Sequence, residues 1–258
     1  MPLVRPYTLR QARLWPYDGG APVIPPDPDT GGGGGGGPGG GSGLLVGSAT
    51  DPPNLTSFDA ANASMGPWTV HRGYNSGGFP ATFAESTCGF DVGRWASVWS
   101  GKPDPVAMAN GTLDNAARNF LLSIPDSHTA FVTIWHEADV KIKQGTAPYS
   151  AAQYIAAWRR FFSIVRELNK PHLYTTLIFG AYVYIQPRSG VTMADLWPGT
   201  DGSGRPYVDV LAFDGYSFTG AESGDYMWGA GRAFADSRGI AWGIAECGLS
   251  SSVTSGTQ

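Results

Sequence analysis

The chain has 258 residues, 42% hydrophobic and 15% charged, with 17 Lys+Arg against 21 Asp+Glu and a formal charge of −4. An acidic chain with no basic run argues against a nucleic-acid binder that relies on phosphate contacts, and no stretch of about 18 apolar residues could span a bilayer. The body is apolar enough to bury a core, which excludes a wholly disordered chain.

Met1–Thr30 is punctuated by seven prolines and is too short to fold alone. Its first residues carry Arg5, Arg10 and Arg13 but no apolar core, so they do not read as a secretory signal peptide. Gly31–Gly43 holds 11 of the 37 glycines and reads as a flexible linker. The expected organisation is an extended or disordered N-terminal docking segment over 1–30, a glycine-rich linker over 31–43 and a compact head over 44–258.

In the head, apolar runs and helical patterns alternate. Strands are expected at Leu44–Val46, Trp68–Gly73, Arg94–Trp99, Ala130–Trp135, Tyr174–Phe179, Val208–Phe213 and Ile240–Ala245. Asn54 can cap a short helix to about Ala63. Leu113–Leu122 has helical spacing, and Ser150 is the N-cap of the clearest helix, where Tyr154, Ile155, Trp158, Phe161, Phe162, Val165 and Leu168 form an apolar stripe before Pro171. A weaker helix covers about Tyr226–Ser237. This alternation predicts a parallel sheet with helices outside it. No Gly-x-Gly-x-x-Gly opens a helix after the first strand, so a dinucleotide-binding fold lacks its fingerprint. Polar residues cluster just after the strands, which favours a (β/α)8 TIM barrel with its site at the C-terminal face. Seven strands are counted, leaving the last βα unit of a barrel unaccounted for. A missed strand, a longer polypeptide and a second chain are the three explanations, and a chain that stops early is the preferred one.

Cys88 and Cys247 could make one bridge at most, and buried thiols are the plainer reading. The histidines, His71, His128, His136 and His172, are dispersed and form no metal-ligand pattern with cysteine. No metal or organic cofactor is implied.

Chemistry is carried by two glutamates. Glu137 follows Thr133-Ile134-Trp135-His136, and Glu246 follows Gly243-Ile244-Ala245, each where an apolar strand meets a loop. Two carboxylates facing one another across a barrel mouth suit glycosidic bond cleavage, one protonating the departing oxygen and the other attacking the anomeric carbon at a separation of about 5–5.5 Å. This arrangement resembles the retaining glycoside hydrolases of clan A. Within the clan, Trp135-His136-Glu137 resembles the mannanase-like family 26, in which a histidine precedes the acid/base, and Glu246-Cys247-Gly248 resembles the run after that family's nucleophile. Val208–Tyr216 resembles its Asp-x-Tyr segment, with Asp214 and Tyr216 in place. The resemblance spans about Leu44 to Gly248. It implies Glu137 as acid/base, Glu246 as nucleophile, Tyr216 as the group that orients Glu246, and His136 as a substrate or nucleophile contact. The sequence departs from the family at Ile134, at Ala138-Asp139 and at Cys247.

Around this pair, Asp214 is a supporting carboxylate. His71, Arg72, Tyr74 and Lys102 follow strands and could bind sugar hydroxyls or a charged substituent, while Trp99 and Trp135 could stack on sugar rings. Trp228 and Trp242 read as core. The expected function is a retaining glycosidase-like head that hydrolyses or binds a cell-surface polysaccharide. The tethered layout without a signal peptide also resembles minor tail proteins of phages infecting actinobacteria. That resemblance implies a virion location facing the exterior, with residues 1–30 bound to other tail proteins and the head gripping or trimming host glycan, with or without turnover.

Overall fold

The structure is a computed structural model. It describes residues 70–85, 96–185, 191–217 and 223–249, Ala63, and the backbone of two strands at 5–9 and 45–49. The strands, in chain order, are β1 (Arg5–Leu9), β2 (Leu45–Ala49), β3 (Val70–Tyr74), β4 (Ala96–Gly101), β5 (Ala130–Ile134), β6 (Leu173–Gly180), β7 (Val210–Ser217) and β8 (Ala241–Leu249). The helices are α1 (Pro105–Ala109), α2 (Asp114–Leu122), α3 (Ala138–Lys143), α4 (Ala151–Glu167), α5 (Tyr182–Ile185) and α6 (Gly224–Asp236).

Six consecutive strands, β3 to β8, pair in parallel and curl into a half-barrel with helices between them. β2 joins β3 in parallel, and β1 pairs with β2 in the opposite sense. The expected (β/α)8 TIM barrel is therefore not what the chain forms. The strand missing from the sequence count is β1, which lies in the proline-punctuated segment ahead of the glycine run, where no strand was expected. Because it is antiparallel to β2, it is not an eighth βα repeat. The expected docking segment thus supplies Arg5–Leu9 to the sheet. The glycine linker and the expected Asn54–Ala63 helix lie outside the described residues, apart from Ala63.

Side chains alternate across the sheet with the strand period of two. On the concave face, Val70, Val98, Phe131, Tyr174, Ile178, Val210, Ala212 and Ala245 form one small cluster. On the convex face, Trp99, Val132, Ile134, Leu177, Phe179, Leu211 and Phe213 pack against the helices in the main core. The apolar stripe of α4 supplies Tyr154, Trp158, Phe161 and Val165 to that core. Ser150 caps α4 as expected, accepting from Gln153 N at 3.2 Å, while the Gln153 side chain accepts from Ser150 N at 2.8 Å, a capping box. Asp104 caps α1 in the same way, accepting from Ala107 N at 2.7 Å. α2 and α6 lie within one or two residues of their expected spans.

Close approach of α6 to the sheet fixes one glycine. A Cβ on Gly231 would sit 2.5–2.8 Å from three carbons of the fully buried Phe213 ring, whereas one on Gly229, in the same helix, would meet nothing within 4 Å. Gly231→Ala is expected to lower the unfolding free energy by about 1–3 kcal/mol through overpacking, and Gly229→Ala to raise it by about 0.5–1 kcal/mol through helix propensity. Denaturant titration of both variants checks the pair. Equal effects at the two positions would contradict this packing.

Candidate functional site

The alternation that builds the concave cluster also loads its C-terminal end with polar groups. On β3, Val70 is followed at intervals of two by Arg72 and Tyr74, and on β7 Ala212 is followed by Asp214 and Tyr216. Sequence reasoning ended β7 at Phe213 and β8 at Ala245. Both strands run further, to Ser217 and Leu249, so Asp214, Tyr216 and Glu246 sit on strand backbone and not on loops.

Glu246 reaches the concave face through a bulge. Phe213 pairs with Ile244, but the next residue, Asp214, pairs with Glu246, so the register skips Ala245. Simple alternation would turn Glu246 away from Ala245's face. The extra residue puts it directly across from Asp214 instead.

Three groups converge on the Glu246 carboxylate. The Tyr74 hydroxyl donates to Oε1 and the Tyr216 hydroxyl to Oε2. Arg72 Nη2 lies 3.2 Å from Oε1 and 3.4 Å from Asp214 Oδ2, and its guanidinium lies 4.9 Å from the Tyr74 ring centroid. Arg72 and Asp214 are essentially inaccessible to solvent. Burial pushes the Glu246 carboxyl up, but Arg72 and the two phenols outweigh it and leave Glu246 below its ordinary value. Asp214 moves the other way, raised first by burial and then by the charge of Glu246. The two carboxyls are thus driven in opposite directions, Glu246 toward its ionised form and Asp214 toward its neutral one.

Glu137 is placed by strained backbone. β5 ends at Ile134, and Trp135 and Glu137 both have positive φ, 53° and 55°. Trp135 N donates to Gly101 O on β4 at 2.8 Å, and Glu137 N donates to Ile178 O on β6 at 3.0 Å, so the turn is pinned on both sides before α3 begins. Non-glycine residues in this region cost on the order of 1–3 kcal/mol each and persist where their surroundings fix them. His136, between them, packs its ring 5.1 Å from that of Tyr74. Burial, then Arg72, lower its pKa to about 3, and burial does the same to His71, so both imidazoles are neutral across the physiological range.

A cavity of about 460 Å³ opens here, lined by Tyr74, Asn75, Ser76, Lys102, His136, Glu137, Tyr216 and Glu246. The structure therefore brings together both expected glutamates with His136, Tyr216, Tyr74 and Lys102. Arg72 and Asp214 lie behind Glu246, and His71 is buried in the strand. The two tryptophans expected to stack on sugar are placed elsewhere. Trp99 is fully buried on the convex face, 4.4 Å from Phe120 and 5.7 Å from Phe79 between ring centroids, and donates Nε1–H to Asn75 Oδ1 at 3.0 Å. Trp135 packs edge-on to Tyr149 at 4.8 Å and donates to Pro103 O. Neither ring lines the cavity. Trp228 and Trp242 pack against the main core, as expected. Ser76 on the cavity wall carried no sequence signal. Cys247 follows Glu246 on β8, and Cys88 lies outside the described residues.

Among the described residues, no cluster of His, Cys, Asp and Glu could hold a metal ion, and no helix is long and apolar enough to cross a membrane. The fold and site define an α/β protein with a carboxylate-lined pocket at the strand ends. Compared with known proteins, the chain matches no family model and no curated sequence.

Tyr216→Phe is expected to raise the pKa of Glu246 by about one unit, because a hydrogen bond to the ionised form is lost, worth about 1.4 kcal/mol. Carbon-13 NMR titration of the glutamate side-chain carboxyls reads the shift. A Glu246 midpoint that stays in place, or falls, contradicts the role of the phenol.

Proposed function

We propose that this chain is a retaining glycoside hydrolase-like protein that acts on a polysaccharide. The observation that carries the reading is the Glu246 carboxylate, held by two phenol donors and a buried guanidinium on the wall of a pocket that Glu137 also lines. A nucleophilic carboxylate must be ionised, oriented and within reach of the substrate. Arg72 and the two hydroxyls support the first two requirements and the cavity the third. Its volume of about 460 Å³ falls within the roughly 300–1,000 Å³ typical of small-molecule sites.

In this reading, Glu137 donates its proton to the departing glycosidic oxygen while Glu246 Oε attacks the anomeric carbon, and the glycosidic C–O bond breaks. Glu137, now a carboxylate, takes a proton from an incoming water, whose oxygen attacks the same carbon and releases Glu246. Two inversions give net retention. Neutral His136 forms part of the cavity wall and carries no charge that would compete with Arg72 for the nucleophile. Lys102 and Tyr74 face the same cavity and are placed to meet sugar hydroxyls or an anionic substituent.

A panel of β-linked glycans, with the products followed by proton NMR, tests the reading. The first anomer formed is expected to keep the substrate's configuration. Glu246→Ala is expected to lose at least about 10³-fold in kcat/KM, and Glu137→Gln about 10²–10⁴-fold on substrates whose leaving oxygen needs a proton. Undiminished cleavage by Glu246→Ala, or inversion at the anomeric carbon, would sink it.

A further inference from the structure

One wall of the cavity carries donors that the two-glutamate reaction does not use. Lys102 lies just past the end of β4, and Asn75 and Ser76 lie just past the end of β3; all three line the cavity together with Glu137 and Glu246. Lys102 is half-buried. Among the described residues, no carboxylate lies within ion-pair distance of it. The indole of Trp99 can only donate, so its bond to Asn75 Oδ1 at 3.0 Å turns the Asn75 amide and leaves Nδ2 as the uncommitted end. Neither Asn75 Nδ2 nor the Ser76 hydroxyl makes a hydrogen bond among the described residues.

The backbone that carries these donors is braced. Lys102 N donates to Gly77 O at 2.7 Å and Asn75 N to Ser100 O at 2.8 Å, which ties the two strand ends together. Trp135 holds Lys102 from both sides, its N donating to Gly101 O at 2.8 Å and its indole to Pro103 O. The tryptophan expected to stack on sugar therefore fixes the backbone of the cation.

We propose that Lys102, Asn75 and Ser76 form an anion subsite, so that the glycan bound in the cavity carries a negatively charged group, a carboxylate or a phosphate. This inference rests on the reading of the cavity as a glycan site. An ammonium and an amide nitrogen offer donors alone, and such donors bond most strongly to charged acceptor oxygens. The charge balance points the same way. Glu246 is matched by Arg72 behind it. An anion entering the cavity meets Glu137 and Glu246, and His136 is neutral there. Among the described residues, Lys102 is the only cation that lines the cavity, and it supplies the charge that makes such a ligand tolerable.

Nitrogen-15 NMR titration of the full chain with glucose, glucuronate and glucose-6-phosphate tests the subsite without turnover. At least one charged sugar is expected to bind about tenfold tighter than glucose, and the tighter of the two names the charged group. The preference is expected to fall about fivefold in Lys102→Met and to survive in Lys102→Arg, which keeps the charge. In the unaltered chain, raising sodium chloride from about 20 mM to about 500 mM is expected to narrow it by screening. Binding of neither charged sugar, equal affinity for all three, or a preference that salt and Lys102→Met both leave intact overturns the proposal. A preference lost equally in Lys102→Arg marks damage to the loop and overturns it as well. A preference that depends on Lys102, without hydrolysis of any glycan, overturns the glycosidase reading and leaves the anion subsite standing. Hydrolysis of glycans with no such preference overturns the subsite alone.

Discussion

The site is organised by one buried cation. Arg72 sits in the wall of the sheet, removed from water, between Asp214 and Glu246. A guanidinium in that position is costly unless it is matched by negative charge and hydrogen bonds. Glu246 supplies the charge, and Asp214 adds a second oxygen at 3.4 Å. The match is mutual, because Glu246 would itself tend to pick up a proton at that depth without Arg72. Cation and carboxylate therefore favour each other's ionised state, and burial together with the charge of Glu246 drives Asp214 toward its neutral form.

This constraint explains why the sheet is irregular where it is. Arg72 stands on β3 and Asp214 on β7, both at the C-terminal end of the concave face. Glu246 has to arrive on that face next to Asp214, but the alternation along β8 gives that orientation to Ala245. The skipped register at Phe213/Asp214 resolves the conflict by one residue. At Glu137 the same kind of problem is met by positive φ, with backbone bonds to β4 and β6 holding the turn. The two glutamates thus reach the cavity by two different distortions of regular strand geometry, one a bulge and the other a left-handed turn. Both distortions sit beside strands that are otherwise regular.

Much of the fold could be read from the sequence because apolar periodicity reports burial directly. The stripe on α4 and the runs at Ala130–Ile134 and Leu173–Gly180 face a core on at least one side, and their patterns show it. The extent of β7 and β8 could not be read in the same way. Asp214, Tyr216 and Glu246 are polar residues on strand backbone, and periodicity counts polar residues as loop. The overall closure was misjudged for a related reason. Repeated βα units argue for a barrel, but they say nothing of β1, whose Pro-containing run has no apolar signature and which pairs antiparallel. Trp99 shows a further limit. Its place beside a polar cluster suggested a sugar platform, yet the strand period turns it to the convex face, opposite the cavity.

Asp139 is the residue whose burial was least visible in the sequence. As one of two acids flanking Ala138, it looks like an ordinary first-turn carboxylate at a helix start, where such groups interact favourably with the helix dipole. The turn at Glu137 changes its surroundings. Left-handed backbone just before α3 precedes an Asp139 that is buried beside Gly180, where the charge of Glu137 acts on it. A carboxyl in solvent at the same sequence position would be ionised and electrostatically distant from the reaction. Buried here, it becomes a group whose protonation depends on its neighbour's.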